Sequence, residues 1–355
     1  MLSIADREIP SASLAARPFF FNIEVLGMGQ CNLRCPSCPT GNFRDVTNAA
    51  GAMIPDLLRQ IMAKAVSECA IMGVGLFNWA EPLLHPKIGE LVRIVQQHSI
   101  PCYLSANLND IRNLKSALEA NPAELRISVS GFTQETYGMT HRGGCIETVK
   151  ANMNELARLL KKTRATTKIQ VLYHRYKNNL DDEILMKAYA ERLGFAFLPA
   201  WALFMPVEKL LAYAENDRSL ATLTAEDCAT LDKLALPVSE ALAAVAPYHK
   251  APCSLQQDQI TLDFRGNTML CCGIYDADKY AIGPFLEATL RELQGRKERH
   301  SLCTRCMKNG IPVYLTYSAP ELQAVALKAI FSRYSTYLSE TPAVGAGQNV
   351  RLNIA

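Results

Sequence analysis

Short apolar runs alternate with longer amphipathic segments over residues 19–200. The apolar runs have the length of buried strands, and the segments between them carry apolar residues at helical spacing. The predicted strands are 19–26, 71–77, 101–105, 125–129, 168–173 and 195–199. The predicted helices are 55–70, 87–98, 111–119, 146–162 and 181–193. This alternation predicts an α/β fold with a parallel sheet, whose functional residues lie in the loops after the strands.

The rest of the chain changes character at several points. Residues 1–18 are polar and alanine-rich, which predicts a flexible lead-in. Residues 201–250 are rich in alanine and leucine with scattered charges, which predicts a helical connector. Residues 251–310 combine clustered cysteines with short strand signals such as 259–264, which predicts a small module organised by metal. Residues 311–355 are predicted to hold a terminal helix over 319–338 and a disordered tail after Pro342.

The composition is that of a globular protein without a nucleic-acid or membrane partner. The chain has 355 residues, of which 49% are hydrophobic and 20% charged, and its formal net charge is +3. It has no long basic block, no uninterrupted apolar run of about 18 residues, and no secretory pattern at its N-terminus. These features predict a cytoplasmic protein with reduced thiols. Its 12 cysteines are therefore better explained as metal ligands, catalytic groups or buried apolar residues than as disulfides.

Three of these cysteines follow the first predicted strand. Cys31, Cys35 and Cys38 have the spacing Cys-x3-Cys-x2-Cys. Three thiolates cannot close a four-iron cluster, so one iron is left open for chemistry. The alternative is a zinc site that a distant fourth ligand completes.

With this loop, residues 19–200 resemble the radical S-adenosylmethionine (radical SAM) superfamily. The resemblance implies a partial (β/α)6 TIM-like barrel in which Cys31, Cys35 and Cys38 hold a [4Fe–4S] cluster. S-adenosylmethionine would chelate the open iron, and one electron would cleave it to methionine and a 5′-deoxyadenosyl radical that abstracts hydrogen from substrate. A flavodoxin or ferredoxin is the implied reductant. The resemblance assigns no catalytic residue beyond the cluster ligands.

Several residues after the strands match positions at which the superfamily contacts S-adenosylmethionine. Ala80 and Glu81, in Asn-Trp-Ala-Glu-Pro, resemble its Gly-Gly-Glu-Pro region, with alanine in place of a glycine. Asn107 lies where relatives carry a Thr-Asn-Gly turn, and Ser130 is a candidate ribose contact. An ordinary turn residue is the alternative for each of them.

A further candidate contact lies just before the long helix predicted over 146–162. Arg142, in His-Arg-Gly-Gly, is predicted to bind the methionine carboxylate, with a surface arginine as the alternative. His141 is better explained as a hydrogen-bonded structural histidine than as a substrate group. Tyr173 and His174 end the fifth strand, near where relatives pack the adenine, although Tyr173 is as well explained as core.

A second group of cysteines lies beyond the predicted barrel. Cys253 and Cys271 are followed by the pair Cys303 and Cys306. The arrangement resembles the auxiliary modules called SPASM and twitch domains, in the shortened form that binds one auxiliary [4Fe–4S] cluster. Cys272 competes with Cys271 as a ligand. A structural zinc knuckle is the alternative.

The resemblance leaves the substrate open between two classes. A radical SAM oxidoreductase that dehydrogenates or epimerises a small hydroxylated metabolite, sugar- or cyclitol-like, is favoured because the first strand begins near Phe19 without a fused peptide-docking domain. Cys145 and Cys272 are conceivable hydrogen donors for epimerisation. A maturase of ribosomal peptides is the alternative enzyme. A non-catalytic iron–sulfur or zinc electron-transfer protein is the alternative outside enzymes.

Overall fold

Six parallel strands form the centre of the structure, a computed structural model that describes residues 18–43, 50–249 and 251–340, with the side chains of its last helix described as far as Phe331. The strands are β1 Phe19–Ile23, β2 Ile71–Gly75, β3 Cys102–Ala106, β4 Glu124–Val129, β5 Lys168–Arg175 and β6 Ala196–Trp201. They lie side by side in the order β6-β5-β4-β3-β2-β1, and every neighbouring pair is parallel. The predicted α/β fold and all six predicted strands are confirmed.

Helices connect these strands as the crossover rule for parallel sheets requires. They are α1 Pro39–Asn42, α2 Pro55–Glu68, α3 Ile88–Gln96, α4 Leu114–Glu119, α5 Gln134–Thr140, α6 Ile146–Thr163 and α7 Leu180–Arg192. The five predicted helices are confirmed with small shifts at their ends. The sequence analysis missed α5, which is short and begins where the Thr133 side chain accepts a hydrogen bond from the backbone N–H of Thr136.

Successive side chains of a strand point alternately into the apolar core and into the barrel interior. On β5, Ile169, Val171 and Tyr173 are buried in the apolar core. The intervening side chains point to the opposite face of the sheet, because successive residues of a strand do so. His174 therefore faces the interior, as does Ser128 on the neighbouring β4, and both line the cavity described below.

The C-terminal strands extend the barrel sheet instead of forming a separate one. They are β7 Gln259–Leu262, β8 Asn267–Met269 and β9 Ala281–Pro284. β7 pairs in parallel with the free edge of β1, with Phe20 opposite Gln259, and β8 and β9 follow it antiparallel. This pairing satisfies backbone groups of β1 that an edge strand would leave open.

Further helices follow β6, and most of them pack around a second apolar core, whereas Leu290 and Leu293 belong to the first core. The helices are α8 Val207–Glu215, α9 Ala225–Lys233, α10 Val238–Ala244, α11 Ser254–Gln257, α12 Ala277–Tyr280, α13 Leu290–Glu298, α14 Ser301–Lys308, α15 Ile311–Thr316 and α16 Glu321–Glu340. Leu210, Leu236, Tyr275, Tyr314 and Ala326 all belong to the second core. The segments predicted separately as 201–250, 251–310 and 311–355 thus share one apolar interior.

Two predicted segments lie outside this description. Apart from Pro18, the lead-in predicted over residues 1–18 falls outside the described residues, as does the tail after Pro342. None of the described helices combines the length and the apolar character that a membrane span requires.

A buried ion pair ties α8 to α9 and to the loop after β1. The Nζ atom of Lys209 lies 2.7 Å from Oδ2 of Asp227, and the two side chains are 2% and 0% exposed. Lys209 also donates to the backbone oxygen of Asn42 at 2.8 Å. Removing one member of such a pair leaves the other charge buried without its counter-ion.

We therefore expect Lys209→Met to lower the free energy of unfolding by about 3–5 kcal/mol, because Asp227 would keep its buried charge. The double variant Lys209→Met/Asp227→Asn should lose less than the sum of the two single variants. Chemical denaturation of the cluster-free protein measures both. Simple additivity of the two changes would contradict the coupling.

Candidate active site

The first cysteine group lies in the loop at the carboxyl end of β1. Cys31, Cys35 and Cys38 are free, half-buried thiols. The chain turns at Gly29, whose φ of 83° lies in the left-handed region that favours glycine, and the loop ends where Pro39 begins α1. All three cysteines line one cavity of about 370 Å³.

The chemistry of this loop fits a metal cluster. Burial raises the pKa of Cys31 to about 12 and also raises the pKa of Cys35 and Cys38. A thiolate at Cys38 would further disfavour charge on the other two. Because iron binds the thiolate, cationic iron would supply the opposite charge that three buried thiolates need. The residues present therefore fit a [4Fe–4S] cluster.

Four of the predicted S-adenosylmethionine contacts line the same cavity as the cysteines. They are Ala80, Glu81, Asn107 and Ser130. They converge because the carboxyl ends of parallel strands meet at one edge of the sheet. The Nδ2 atom of Asn107 donates to Oδ1 of Asn32 at 2.8 Å and lies 3.6 Å from Sγ of Cys31.

Other cavity residues come from parts of the chain that sequence reasoning left out. Tyr176 follows β5, and its hydroxyl donates to Oγ of Ser37 at 3.0 Å. Trp201 ends β6, and Tyr317 follows α15; both line the cavity. The hydroxyl of Tyr317 donates to the backbone oxygen of Trp201. No local signal identifies Tyr317, because only the fold brings it to the cavity.

Two buried glutamates hold the loops of the cavity. Glu81 accepts hydrogen bonds from the backbone N–H groups of Asn107 at 2.7 Å and Leu83 at 3.1 Å. Glu24, just after β1, accepts from the N–H groups of Trp79 at 2.6 Å and Ala80 at 3.0 Å. Burial raises the pKa of both carboxyls to about 7. Sequence reasoning missed Glu24, whose signal is a charged residue beside a buried strand.

Two neutral histidines face the cavity. His141 is buried, its ring stacks on Tyr137 with centroids 4.5 Å apart, and its Nδ1 atom lies 2.9 Å from Oγ of the buried Ser130. Burial lowers the pKa of His141 to about 3 and that of His174 to about 4. Ser130 also exchanges a hydrogen bond with Thr140. His141 has the hydrogen bonds expected of a structural histidine.

Arg142 lies outside the set of residues that line the cavity. Its Nε atom donates to the backbone oxygen of Arg34 at 2.8 Å, and the N–H of Arg34 donates back to its carbonyl at 2.9 Å. Its guanidinium lies 2.7 Å from Oε1 of Glu226 on α9, and its side chain is 45% exposed. The contact of Arg142 with the methionine carboxylate stays a prediction, and in this structure its guanidinium pairs with Glu226. Arg142 braces the loop between Cys31 and Cys35.

The second cysteine group lines a smaller cavity of about 30 Å³. Cys253, Cys271, Cys303 and Cys306 are all part of its wall. Cys303 and Cys306 lie three residues apart on α14, which places them on one face of the helix. Cys272 is not among the lining residues, although its thiol is hydrogen-bonded to that of Cys271.

Trp79 links the two cavities. It lines the first, and its indole Nε1 donates at 2.9 Å to the backbone oxygen of Ile274, which lines the second. Its ring packs edge-on against Tyr275, with centroids 6.2 Å apart. Among the described residues, no three His, Cys, Asp or Glu side chains lie close enough to bind one metal ion. In an iron–sulfur cluster, each thiolate binds a separate iron.

The family model described as Radical SAM superfamily matches residues 25–186. The chain contains a radical SAM domain. This domain implies a [4Fe–4S] cluster and S-adenosylmethionine, and it makes the chain an iron–sulfur enzyme. No curated protein sequence matched.

Solved structures share the fold over most of this chain at low sequence identity. SuiB of Streptococcus suis bound to precursor peptide SuiA is 14% identical, with 83% of this chain and 71% of that chain covered and a TM-score of 0.56. Native anSMEcpe with bound AdoMet (S-adenosylmethionine) is 15% identical, with 91% and 100% covered and a TM-score of 0.52. The same protein with AdoMet and the Cp18Cys peptide is 16% identical, with 88% of this chain and 99% of that chain covered and a TM-score of 0.50. These similarities confirm the predicted partial TIM-like barrel.

We expect the brace at Arg142 to affect how the radical SAM domain retains iron more than how it binds S-adenosylmethionine. Arg142→Gln and Glu226→Gln should both speed the loss of iron to a chelator, modestly, because a half-exposed ion pair contributes about 0.2–1 kcal/mol. Binding of S-adenosylmethionine, measured by calorimetry, should change little. Arg158→Gln, which breaks an exposed pair with Glu155 on α6, is the matched control. Loss of S-adenosylmethionine binding with iron retained in Arg142→Gln alone would support the carboxylate contact instead.

We also expect the buried glutamates to give the cluster-free protein a pH-dependent stability. Burial raises the pKa of Glu24 from 4.5 to about 7, so its stabilising contribution is complete below about pH 4.5 and is lost as the pH rises through about 7. That shift corresponds to at most roughly 3 kcal/mol. Urea denaturation at about pH 5 and about pH 8 should show a smaller difference for Glu24→Gln than for the parent. An equal difference in both proteins would contradict this assignment.

Proposed function

We propose that this enzyme is a radical SAM oxidoreductase that acts on a small hydroxylated metabolite, sugar- or cyclitol-like. The observation that carries the proposal is the second cavity lined by Cys253, Cys271, Cys303 and Cys306. Trp79 connects that cavity to the cavity of Cys31, Cys35 and Cys38. A dehydrogenation removes two electrons from substrate, and a second cluster next to the first would take the second electron.

Cys31, Cys35 and Cys38 are the residues that would hold the first cluster, with a flavodoxin or ferredoxin as reductant. When bound, the cluster and S-adenosylmethionine supply the 5′-deoxyadenosyl radical that abstracts a hydrogen atom from substrate. Ala80 and Glu81 line the cavity, and Glu24 accepts a hydrogen bond from the backbone N–H of Ala80 in the same loop. Asn107 and Ser130, directly after β3 and β4, contribute polar atoms to the same cavity.

Dehydrogenation also needs a residue that takes the hydroxyl proton of the substrate. His174 lines the first cavity, and burial lowers its pKa to about 4. It is therefore neutral near pH 7, and its imidazole can accept the hydrogen bond of a substrate hydroxyl. The substrate would lose a hydrogen atom to the radical, one electron toward the second cysteine group and one proton that passes from the hydroxyl through His174 to solvent, which leaves a carbonyl product.

Dehydrogenation is favoured over epimerisation because neither cysteine predicted as a hydrogen donor lies at the first cavity. Neither Cys145 nor Cys272 is among the described residues that line the first cavity. Cys145 is exposed at the start of α6. Epimerisation would need a donor that returns hydrogen to the opposite face of the substrate.

Peptide modification is the second candidate. SuiB is solved with its precursor peptide and anSMEcpe with a peptide, and both share the fold. Within the described residues, β6 lies at the end of the sheet, and Leu198 on it is 42% exposed. An extended peptide can add to such an edge.

The first test is anaerobic reconstitution with iron and sulfide, followed by S-adenosylmethionine and dithionite. We expect about eight irons per chain from two [4Fe–4S] clusters, with formation of 5′-deoxyadenosine detected by mass spectrometry. Cys31→Ala should abolish that cleavage, whereas Cys303→Ala should remove about four irons and keep it.

Two outcomes would contradict the proposal. Zinc or no metal at the second site would remove the electron acceptor and with it the dehydrogenase. Absence of cleavage by the fully loaded protein would leave an electron carrier. Once cleavage is established, product mass separates the candidates, since loss of two hydrogens from a polyol indicates dehydrogenation and a changed peptide mass indicates a maturase.

A further inference from the structure

Two lysines are buried in the part of the chain that the structure describes, and their partners differ. Lys209 has the carboxylate of Asp227 as its counter-ion. Lys297, on α13, is 1% exposed, and its Nζ atom donates to the backbone oxygens of Leu255 at 3.0 Å and Gln259 at 2.6 Å. Among the described residues, no carboxylate lies within ion-pair distance of Lys297. A buried ammonium without an anionic partner is costly.

The second cysteine group lies beside Lys297. The ammonium donates to the backbone oxygen of Leu255, two residues after Cys253, and the side chain of Gln256, which lines the small cavity, donates to the backbone oxygen of Lys297 at 3.3 Å. Desolvation lowers the pKa of Lys297, whereas charge on the thiols of Cys271, Cys303, Cys253 and Cys272 would raise it. Three of these four cysteines line the small cavity. Once they bind metal as thiolates, they carry the negative charge that the ammonium lacks in the cluster-free protein.

We infer that Lys297 is the counter-ion of the auxiliary cluster and raises its reduction potential. The inference rests on the proposed function, because it requires a cluster at Cys253, Cys271, Cys303 and Cys306. Reduction adds one electron and thus one negative charge to the cluster. A fixed positive charge stabilises the reduced state more than the oxidised state, particularly in a buried site of low dielectric.

This role suits an acceptor of electrons from substrate. A cluster surrounded by four thiolates is already anionic, so a further electron enters against charge repulsion. Lys297 offsets that repulsion from within the protein, where solvent screens it little. Lys297 would thus be a positioning residue that acts through the cluster and does not touch the substrate.

A purely structural role for Lys297 is the competing explanation. Its ammonium joins α13 to Leu255 on α11, whose N-cap is Cys253, and to Gln259 at the start of β7. The side chain of Gln256 also donates to the backbone oxygen of Lys297 at 3.3 Å. A structural role predicts a change in iron content, whereas a charge role predicts a change in potential at full iron content.

The experiment uses the full-length chain with Cys31, Cys35 and Cys38 all changed to Ala, so that only the auxiliary cluster titrates. Iron and sulfide are added anaerobically, metal content is measured, and the midpoint potential is determined by redox titration followed by electron paramagnetic resonance. Lys297→Met should hold about four irons at a lower potential than the parent. Lys297→Arg should restore the parent potential. Lys279→Met, which removes an exposed charge from the same part of the chain, should leave it unchanged.

Each result decides the inference. An unchanged potential in fully loaded Lys297→Met would overturn it and leave the auxiliary cluster standing. If Lys297→Met loses the cluster, Lys297→Gln keeps a hydrogen-bond donor without the charge. Loss in both neutral variants with retention in Lys297→Arg would support the counter-ion, whereas loss in all three would overturn it. If the chain with the three Cys→Ala changes and the natural Lys297 binds no iron, the proposed auxiliary cluster itself is refuted.

Discussion

The hydrogen bonds that β1 makes along both of its edges position the two cysteine groups. On one side, β1 pairs with β2, whose following loop carries Ala80 and Glu81. On the other side, it pairs with β7, from which the chain continues through β8 to Cys271. The first cysteine loop leaves the carboxyl end of the same strand. β8 runs antiparallel to β7, so the pairing of β7 with β1 also fixes where the returning chain reaches Cys271.

Two buried carboxyl groups stabilise the turns that lie between the two cysteine groups. Glu24 accepts hydrogen bonds from the N–H groups of Trp79 and Ala80, and Glu208 on α8 accepts from those of Tyr275 at 2.9 Å and Asp276 at 3.0 Å. Each leaves one buried carboxyl oxygen without a protein partner. A carboxylate forms strong hydrogen bonds to the backbone N–H groups of a turn, but the carboxylate must leave water to do so. This desolvation raises the pKa of Glu24 and Glu208 to about 7.

The ring contact between Trp79 and Tyr275 joins the two turns that Glu24 and Glu208 hold. Thr40, two residues after Cys38, donates to the backbone oxygen of Trp79 at 3.0 Å, so the first cysteine loop joins the same contact. With its side-chain amide oriented to satisfy its neighbours, Asn78 donates to the backbone oxygen of Cys272. Loops from both cysteine groups therefore share one set of contacts, which would hold the two groups together for the electron transfer proposed above.

The sequence alone determined the strands, the long helices and the identity of the cysteine ligands as candidates. Strand periodicity and the spacing of Cys31, Cys35 and Cys38 are local properties, readable without the fold. The roles of Glu24, Tyr317 and Lys297 were not readable, because each depends on partners far away in sequence. Arg142 illustrates the same limit, since its motif indicates an anion contact but Glu226 on a distant helix takes its charge. Burial and pairing decide what a charged residue does, and only the tertiary structure supplies both.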